Sequence, residues 1–312
     1  MPKDLLEVIG EALSAYWTSP LPLIIVFACL ACIGTLVYVF LTNSRNAKLR
    51  VSLLTGLYSL SIFFWLFLAT SFVFCLGLSR MVAYAKFGVQ VAAGSAVLVS
   101  FVVSAIVSLF VWRTAATRIL RKTATREPLQ DERWIVDYAR LVGRFEGLPD
   151  FEVRITESPT PLAMTVSGPD HVVIVSTGLL HRLDRDEVEG VLTHELMHIK
   201  NNDSRFKVFS TVISRILFFD PFSKFFDPAV HREREYLADE ASGRTTGKPA
   251  ALASALVKIA DCAVPTPPAA GLSITGKGKG VFSRYPPLKE RVQRLLLLSG
   301  LLSGAGRETR KA

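Results

Sequence analysis

Two histidines and a glutamate in one short segment could do chemistry together. The segment reads His194-Glu195-Leu196-Met197-His198. Positions four apart share one face of a helix, so both imidazoles can reach a single zinc ion. Glu195 follows the first histidine directly and can act as the general base that takes a proton from an attacking water. The chain has only five histidines, which makes a chance match rare, and the pattern predicts one zinc ion per chain.

A catalytic zinc ion normally takes three protein ligands and keeps one position open. The metzincin pattern would place Gly and His at positions that hold Asn201 and Ser204 here, which excludes that class. Glu235 and Asp239 are the stronger candidates because they are four apart on one predicted helix face. One carboxylate could bind zinc while the other accepts a hydrogen bond from a ligand imidazole. Three histidines elsewhere are weaker alternatives: His171, His181 and His231.

The helix that must carry the two histidines has clear local signals. Asp184 can cap its first turn, and Glu187 stands three residues later in the capping-box position. Apolar residues recur at helical spacing along 185–200. The preceding segments predict a helix over 129–147 and strands over 151–156, 162–166 and 171–176. The last two strands flank the turn sequence Ser-Gly-Pro-Asp, so we expect a small antiparallel sheet.

The segments after the histidine motif are expected to be helical. Residues 203–219 are apolar but include three basic residues, which favours an amphipathic or interfacial helix over a fourth membrane span. Further helices are predicted over about 229–245, 249–261 and 287–299, with a loop rich in Pro and Gly over 263–281. The Asp-Pro pairs at 220–221 and 227–228 are expected to break the chain.

The N-terminal third of the chain is predicted to lie in a membrane. Residues 21–41, 51–79 and 87–112 contain no Asp, Glu, Lys or Arg. Each stretch reaches the length of about 20 residues that a helix needs to cross a bilayer, so we expect three transmembrane helices. Residues 1–17 predict a short amphipathic helix on the membrane surface. The mean hydropathy of +0.36 and the overall composition exclude collagen-like, disordered and disulfide-scaffold proteins.

The net charge of +9 at pH 7 reflects basic residues next to these spans. Lys and Arg are more frequent in 42–50 and 113–126 than in the N-terminal segment or in 80–86. The positive-inside rule therefore places 42–50 and everything after the third span in the cytoplasm. Anionic lipid attracts each basic residue near its surface by about 1 kcal/mol, so the lipid bilayer is the expected partner of 113–126. No pattern for nucleic-acid binding is present, and nucleic acid is not an expected partner.

The histidine motif and the later carboxylates resemble a known family. Val191–Asp203, with Glu-Tyr-Leu-Ala-Asp at 235–239, looks like the integral-membrane gluzincins, which include the HtpX proteases and the CAAX prenyl endopeptidases. Segments 175–180 and 283–291 extend the likeness to roughly 127–300. The resemblance implies that zinc is bound by His194, His198 and Glu235, with Glu195 as the base. It also implies that an extended peptide lies along an edge strand at 162–166, formed around Ala163, Met164 and Thr165.

The sequence departs from the family pattern in two places near the expected site. Leu162 replaces an Asn that the family usually has between Pro and Ala, and Tyr285 replaces a His before the Pro-Pro pair. Tyr285 can still donate a hydrogen bond to a developing oxyanion. Arg291 matches a family Arg and is expected to assist catalysis. The three predicted spans before the motif also differ from the two that are usual in HtpX.

These patterns together predict an α+β protein. We expect an N-terminal amphipathic segment and three transmembrane helices over 1–112, a basic juxtamembrane linker over 113–126, and a mostly helical zincin-like protease domain over 127–312. The predicted function is that of a zinc endopeptidase in a prokaryotic plasma membrane, with its protease domain in the cytoplasm and peptides or proteins as substrates. The alternatives are a signal-transducing protease like the BlaR/MecR receptors and an inactive homologue that only binds partners.

Overall fold

Residues 5–42, 47–78, 85–168, 170–201, 204–262 and 286–308 are described by the computed structural model of the chain. The chain divides into two units, Met1–Phe110 and Val111–Ala312. The first unit consists of helices, and the second combines helices with one small sheet. This architecture confirms the predicted α+β class, with a helical N-terminal region followed by a mostly helical domain.

The N-terminal unit contains the helices predicted to cross the membrane. Its helices are α1 (Leu5–Trp17), α2 (Pro20–Thr42), α3 (Ala47–Leu78) and the first part of α4 (Ala85–Lys122). Three stretches are long and apolar enough to span a bilayer: Pro20–Phe40, Ser52–Cys75 and Gly88–Lys122. They overlap the three predicted spans, and the third continues past the predicted end at 112 to Lys122. Because α4 continues without interruption to Lys122, most of the expected linker at 113–126 is helical.

Two hydroxyl pairs in the N-terminal unit form neutral hydrogen bonds between helices. The hydroxyl group of Tyr16 in α1 donates to the hydroxyl oxygen of Ser71 in α3 at 2.8 Å. The hydroxyl oxygens of Thr70 in α3 and Ser100 in α4 are 2.9 Å apart. Neutral pairs of this kind satisfy polar atoms inside an apolar bundle without burying a charge.

The C-terminal unit contains the site predicted from the sequence. Its elements after α4 are a short 3-10 turn (Gln130–Glu132), α5 (Arg133–Glu146), β1 (Phe151–Thr156), β2 (Ala163–Ser167), β3 (His171–Ser176), α6 (Thr177–Arg182), α7 (Arg185–Lys200), α8 (Ser204–Ile216), α9 (Pro221–Thr246), α10 (Pro249–Cys262) and α11 (Leu288–Glu308). Apolar residues of α5, the sheet, α7 and α10 form one hydrophobic core. The predicted helix carrying the histidines corresponds to α7, whose predicted and observed bounds agree.

The small sheet has the strand order β1-β3-β2. Strands β2 and β3 are antiparallel, with Ala163 paired to Val175 and Ser167 paired to His171, as the turn sequence between them predicts. Strand β1 lies on the other side of β3 and runs parallel to it, with Phe151 paired to His171. The sheet is therefore mixed and not wholly antiparallel, because β1 runs in the same direction as β3.

Helix α7 is buried on nearly every side. Its capping box is formed as predicted, since the amide of Glu187 donates to the Asp184 carboxylate and the amide of Asp184 donates to the Glu187 carboxylate, both at 2.9 Å. At Gly190 a Cβ atom would lie 3.3 Å from the Leu252 side chain, so α10 packs closely there. The hydroxyl group of Ser242 in α9 donates to the Gly190 carbonyl oxygen at 2.8 Å. These contacts fix α7 between α9 and α10.

Helix α9 is longer than the sequence predicts. The expected break at the Asp-Pro pair 227–228 is wrong, because α9 runs continuously from Pro221 to Thr246 with Pro228 inside it. Proline lacks an amide proton, so the helix omits one backbone hydrogen bond at that point but continues. It ends at Gly247, whose φ of +67° is favourable for glycine. The other predicted break, at 220–221, coincides with the start of α9.

Candidate metal centre

Helices α7 and α9 bring His194, His198 and Glu235 into one buried cluster. One potential ligand atom from each residue lies within 4.8 Å of the others. The His194 Nε2 atom is 3.4 Å from Glu235 Oε2, and the His198 Nε2 atom is 3.7 Å from Glu235 Oε1. All three side chains are buried. Two imidazole nitrogens and a carboxylate oxygen at these separations could hold a metal ion.

Asp239 and Arg291 support this cluster from behind His194. The Asp239 Oδ1 atom lies 2.9 Å from His194 Nδ1, the ring nitrogen on the side away from Glu235. The Arg291 guanidinium group donates to both Asp239 carboxylate oxygens at 2.7 Å and lies 3.5 Å from Glu235. A carboxylate on the second ring nitrogen fixes the orientation of a ligating imidazole. The structure therefore separates the two carboxylates, with Glu235 facing both histidines and Asp239 behind one of them.

The electrostatics of the cluster favour a cation. Burial lowers the pKa of His194, but the carboxylates of Asp239 and Glu235 outweigh burial and raise this pKa to about 9. Burial raises the pKa of Glu235, whereas the nearby Lys207, His194 and Arg291 hold it well below its ordinary value. Arg291 similarly lowers the pKa of Asp239 against the effect of burial. The carboxylates that raise the pKa of His194 supply negative charge that would also attract a metal ion.

Lys207 on α8 is a buried member of the cluster that sequence reasoning missed. Its Nζ atom donates to Glu235 Oε1 at 3.0 Å, and its side chain is only 7% exposed. The sequence contains one signal for it, because Lys207 stands between Phe206 and Val208 in an apolar helical stretch. A basic residue so placed needs a buried partner. Its partner could not be identified because Glu235 is far away in the sequence.

Glu195 has one oxygen held and one oxygen without a hydrogen-bond partner among the described residues. The Thr165 hydroxyl oxygen lies 2.9 Å from Glu195 Oε2 and 3.0 Å from the Glu195 carbonyl oxygen. Glu195 Oε1 is buried and accepts no hydrogen bond within the described part of the chain. A general base needs such an oxygen to accept a proton. Thr165 lies in the strand that is expected to bind substrate through its backbone, and its side chain contacts Glu195.

The remaining predicted site residues have different positions. Ala163, Met164 and Thr165 are buried in β2, an edge strand of the described sheet that also contacts α7. Tyr285 lies outside the described residues. The three alternative histidines are not in the cluster. His171 Nδ1 is 2.7 Å from the Ser167 hydroxyl oxygen, and His231 Nε2 is 2.8 Å from the Ser210 hydroxyl oxygen, while His181 lies in the last turn of α6.

Comparisons with known proteins indicate the family to which the chain belongs. The sequence model of the family described as BlaR1 peptidase M56 matches residues 82–260. A protein described as "Protease HtpX homolog" from Pelotomaculum thermopropionicum is 32% identical over 249 residues, which is 64% of this chain and 89% of that protein. A protein of the same description from Pyrococcus abyssi is 34% identical over 200 residues, 49% of this chain and 69% of that protein.

A solved structure also resembles the chain. The crystal structure of S. mikatae Ste24p covers 89% of this chain and 99% of that one, with 13% identity and a TM-score of 0.37. Family membership rests on the sequence relatives and on the peptidase model, which together cover the membrane helix before the histidine motif as well as the motif itself. The chain belongs to the HtpX-like family of integral-membrane metalloproteases.

Proposed function

We propose that this membrane peptidase uses zinc and hydrolyses peptide bonds within membrane or cytoplasmic proteins, in protein quality control or in processing. The single observation that carries the proposal is the Glu195 carboxylate, held by Thr165 through one oxygen and free of hydrogen bonds from described residues at the other, beside a cluster of potential metal ligands. This arrangement suits a residue that must accept and release a proton. The relatives' description as proteases supports the same reaction.

Zinc suits the residues that are present. Two imidazoles and one carboxylate form a ligand set used by catalytic zinc sites, and His194, His198 and Glu235 would hold the ion. Asp239 would keep His194 in the required tautomer through its contact with Nδ1. When bound, zinc supplies Lewis acidity that polarises a scissile carbonyl group and makes water more acidic.

Glu195 would move the proton during hydrolysis. Its Oε1, which has no hydrogen-bond partner among the described residues, would accept a proton as the water oxygen forms a bond to the carbonyl carbon. The carbon–nitrogen bond then breaks, and Glu195 gives the same proton to the leaving amine. Thr165 keeps the carboxylate oriented through Oε2, so that Oε1 stays available throughout the reaction.

The substrate would lie along β2. The strand is at the edge of the described sheet, and an extended peptide could add to it by backbone hydrogen bonds at Ala163, Met164 and Thr165. From the family resemblance, Tyr285 would donate to the developing oxyanion. In that case Tyr285→Phe should lower turnover by up to about 10²-fold while the Michaelis constant and the zinc content hold. Wild-type turnover would remove Tyr285 from the mechanism.

The basic residues around the spans support a cytoplasmic protease domain in a prokaryotic plasma membrane, and 113–126 would meet anionic lipid there. We retain the division into a membrane region over 1–112, a linker over 113–126 and a protease domain over 127–312. Cysteine labelling of intact cells, after replacement of the native cysteines, should reach position 84 and miss positions 46 and 130. Labelling at position 130 would reverse this orientation.

The decisive experiment combines metal analysis with proteolysis of casein by the purified chain. Wild-type protein should contain about one zinc ion and lose activity with chelator. Glu195→Gln should keep the zinc and lose nearly all turnover, because the base is lost and the ligands remain. Glu235→Gln should bind zinc more weakly, whereas the matched control Glu233→Gln should change little. Normal proteolysis by a folded, zinc-loaded Glu195→Gln variant would refute the mechanism.

The matching family description also favours a second candidate, a signal-transducing peptidase of the BlaR type. Such a receptor needs an external sensor. The chain between the first and second helical spans, and between the second and third, has little room for one, since the undescribed segments there are only 43–46 and 79–84. Substrate trapping in cells with Glu195→Gln would separate the two functions. Capture of one cytoplasmic regulator favours signalling, and capture of many membrane proteins favours quality control.

A further inference from the structure

A basic cleft lies between the last turns of α4 and the second half of α8, away from the metal centre. Its volume is about 150 Å³, and its lining includes Arg118 and Lys122 from α4 and Arg215 from α8. None of the nine described residues around it is acidic. Lys122 and Arg215 are exposed and form no ion pair with another described residue. Three positive side chains thus meet at one small cleft.

Helix dipoles account for only part of this charge. Lys122 and Arg215 stand in the last turns of α4 and α8, where basic residues offset the negative helix end. Each helix end carries roughly half an elementary charge, so the two ends offset about one of the two positive charges on Lys122 and Arg215. Roughly one positive charge remains on this pair, which suits the single negative charge of a phosphodiester headgroup.

Apolar residues beside the cleft favour a lipid as the source of that anion. The walls between the basic residues include Val111, Ile119 and Val212. Ile216 at the end of α8 and Phe218 and Phe219 just beyond it are exposed to solvent. A free phosphate ion would leave this apolar surface exposed to water, whereas the acyl chains of a phospholipid would cover it.

The helix that forms one wall is itself a candidate membrane span. The apolar stretch Gly88–Lys122 ends at the cleft, where the apolar side chains of α4 give way to basic ones. We propose that this cleft is a specific site for an anionic phospholipid, with the headgroup phosphate between Lys122 and Arg215. The site goes beyond general attraction of basic residues to the membrane, because α8 supplies one side of it.

The test uses the full chain purified in an uncharged detergent. Binding of three probes is measured by microscale thermophoresis: short-chain phosphatidylglycerol, short-chain phosphatidylcholine and inorganic phosphate. We expect phosphatidylglycerol to bind at least tenfold more tightly than either other probe. Arg215→Gln should weaken phosphatidylglycerol binding about tenfold, because a charge-assisted contact is lost. Lys122→Gln, on the other helix, should have a similar effect.

Arg121→Gln is the matched control. It removes one positive charge from the same turn of α4 but does not line the cleft, so binding should change less than twofold. An equal loss in Arg121→Gln and Arg215→Gln would show diffuse attraction and overturn the proposal. Inorganic phosphate that binds as tightly as phosphatidylglycerol would show an anion site without lipid specificity, and no binding of phosphatidylglycerol would also refute the site. Should Arg215→Gln fail to fold, as judged by its melting curve, Lys122→Gln decides the outcome.

Discussion

Two arginine–carboxylate pairs in the C-terminal unit have nearly the same geometry in different surroundings. Arg291 donates to both oxygens of Asp239 at 2.7 Å. Arg126 donates to the two oxygens of Glu132 at 2.6 and 2.9 Å. The side chains of the inner pair are 2% and 4% exposed, whereas those of the outer pair are 28% and 11% exposed.

The difference in burial separates their roles. Removing two charges from water costs several kcal/mol per ion, so the inner pair contributes little net stability, although losing one partner is strongly destabilising. The inner pair instead orients the His194 imidazole, since Asp239 contacts His194. In the outer pair, the backbone of Arg126 forms a β-bridge with Ile155 of β1. Its side chain pairs with Glu132, which directly precedes α5. The inner pair therefore orients a residue of the metal cluster, whereas the outer pair, with similar geometry, attaches the segment around Arg126 to the start of α5.

Breaking the inner pair should have the largest effect. Arg291→Met leaves Asp239 buried without its arginine partner, while Glu235 keeps Lys207, and the change should cost about 3–5 kcal/mol. The melting temperature in detergent should then fall by on the order of 10 °C, and proteolysis should be lost. Lys289→Met, an exposed position on the same helix, is the control and should melt like wild type. Equal melting temperatures for all three proteins would contradict a structural role for the inner pair.

Neutralising the carboxylate of the inner pair sharpens its connection to the metal. Asp239→Asn keeps the size of the side chain but removes its charge from His194 Nδ1. We expect zinc affinity, measured by competition with a fluorescent chelator, to fall about 10–100-fold. Glu240→Gln, at the exposed neighbouring position, should leave affinity unchanged. Unchanged affinity in Asp239→Asn would show that Asp239 serves Arg291 alone.

A hydrogen bond from an uncharged side chain in the same buried site should matter less than the ion pair. Thr165→Val removes the hydroxyl group beside Glu195 Oε2 and keeps the shape of the side chain. Turnover of casein should fall about tenfold, as expected for loss of one hydrogen bond of about 1.4 kcal/mol that orients the base. The zinc content should stay at the wild-type value, and Thr165→Ser should restore most of the turnover. Loss of zinc in Thr165→Val would point to a packing defect instead.

Breaking the outer pair should have the smallest effect on the melting temperature, and that effect should depend on pH. The hydrogen bond from Arg126 lowers the pKa of Glu132, against a smaller effect of burial. A lowered folded-state pKa adds stability above the ordinary glutamate pKa of about 4.3, and this stability is lost as the pH falls through the lower folded-state value. Glu132→Gln should therefore melt slightly below wild type at pH 7, and the difference should shrink progressively as the pH falls below about 4.3.

The fully surface pair Glu152–Arg154 supplies the control for that comparison. Its side chains are 60% and 45% exposed, so Glu152→Gln should melt like wild type at both pH values. A difference between Glu132→Gln and wild type that persists unchanged at low pH would show that the effect comes from packing and not from ionisation of Glu132.

Local patterns in the sequence predicted the parts of the site that lie on one helix. The capping box at Asp184 and the spacing of His194 and His198 depend on neighbours three or four residues away, and α7 agrees with both. The candidate pair Glu235 and Asp239 could also be identified from spacing. Which of the two faces both histidines depends on how α9 packs against α7, so residue chemistry alone left this open and only the family resemblance indicated Glu235.

Contacts between distant segments could not be predicted. Lys207 meets Glu235 across the space between α8 and α9, and Thr165 meets Glu195 between the sheet and α7. The parallel pairing of β1 with β3 depends on the path of a connection, since the alternation of apolar residues in a strand does not specify its neighbour. The continuous helix across Pro228 is similar, because packing along α9 outweighs a local signal to stop.

The burial of α7 also governs how fast the site can exchange its contents. His194, Glu195 and His198 are at most 2% exposed, so an ion inside is shielded from a chelator in solution. Release then requires a transient opening of the helices around α7, and the exchange half-life is set by the frequency of that opening more than by ligand strength. Loss of activity with chelator should therefore need a prolonged incubation, and mild denaturant should shorten the time required.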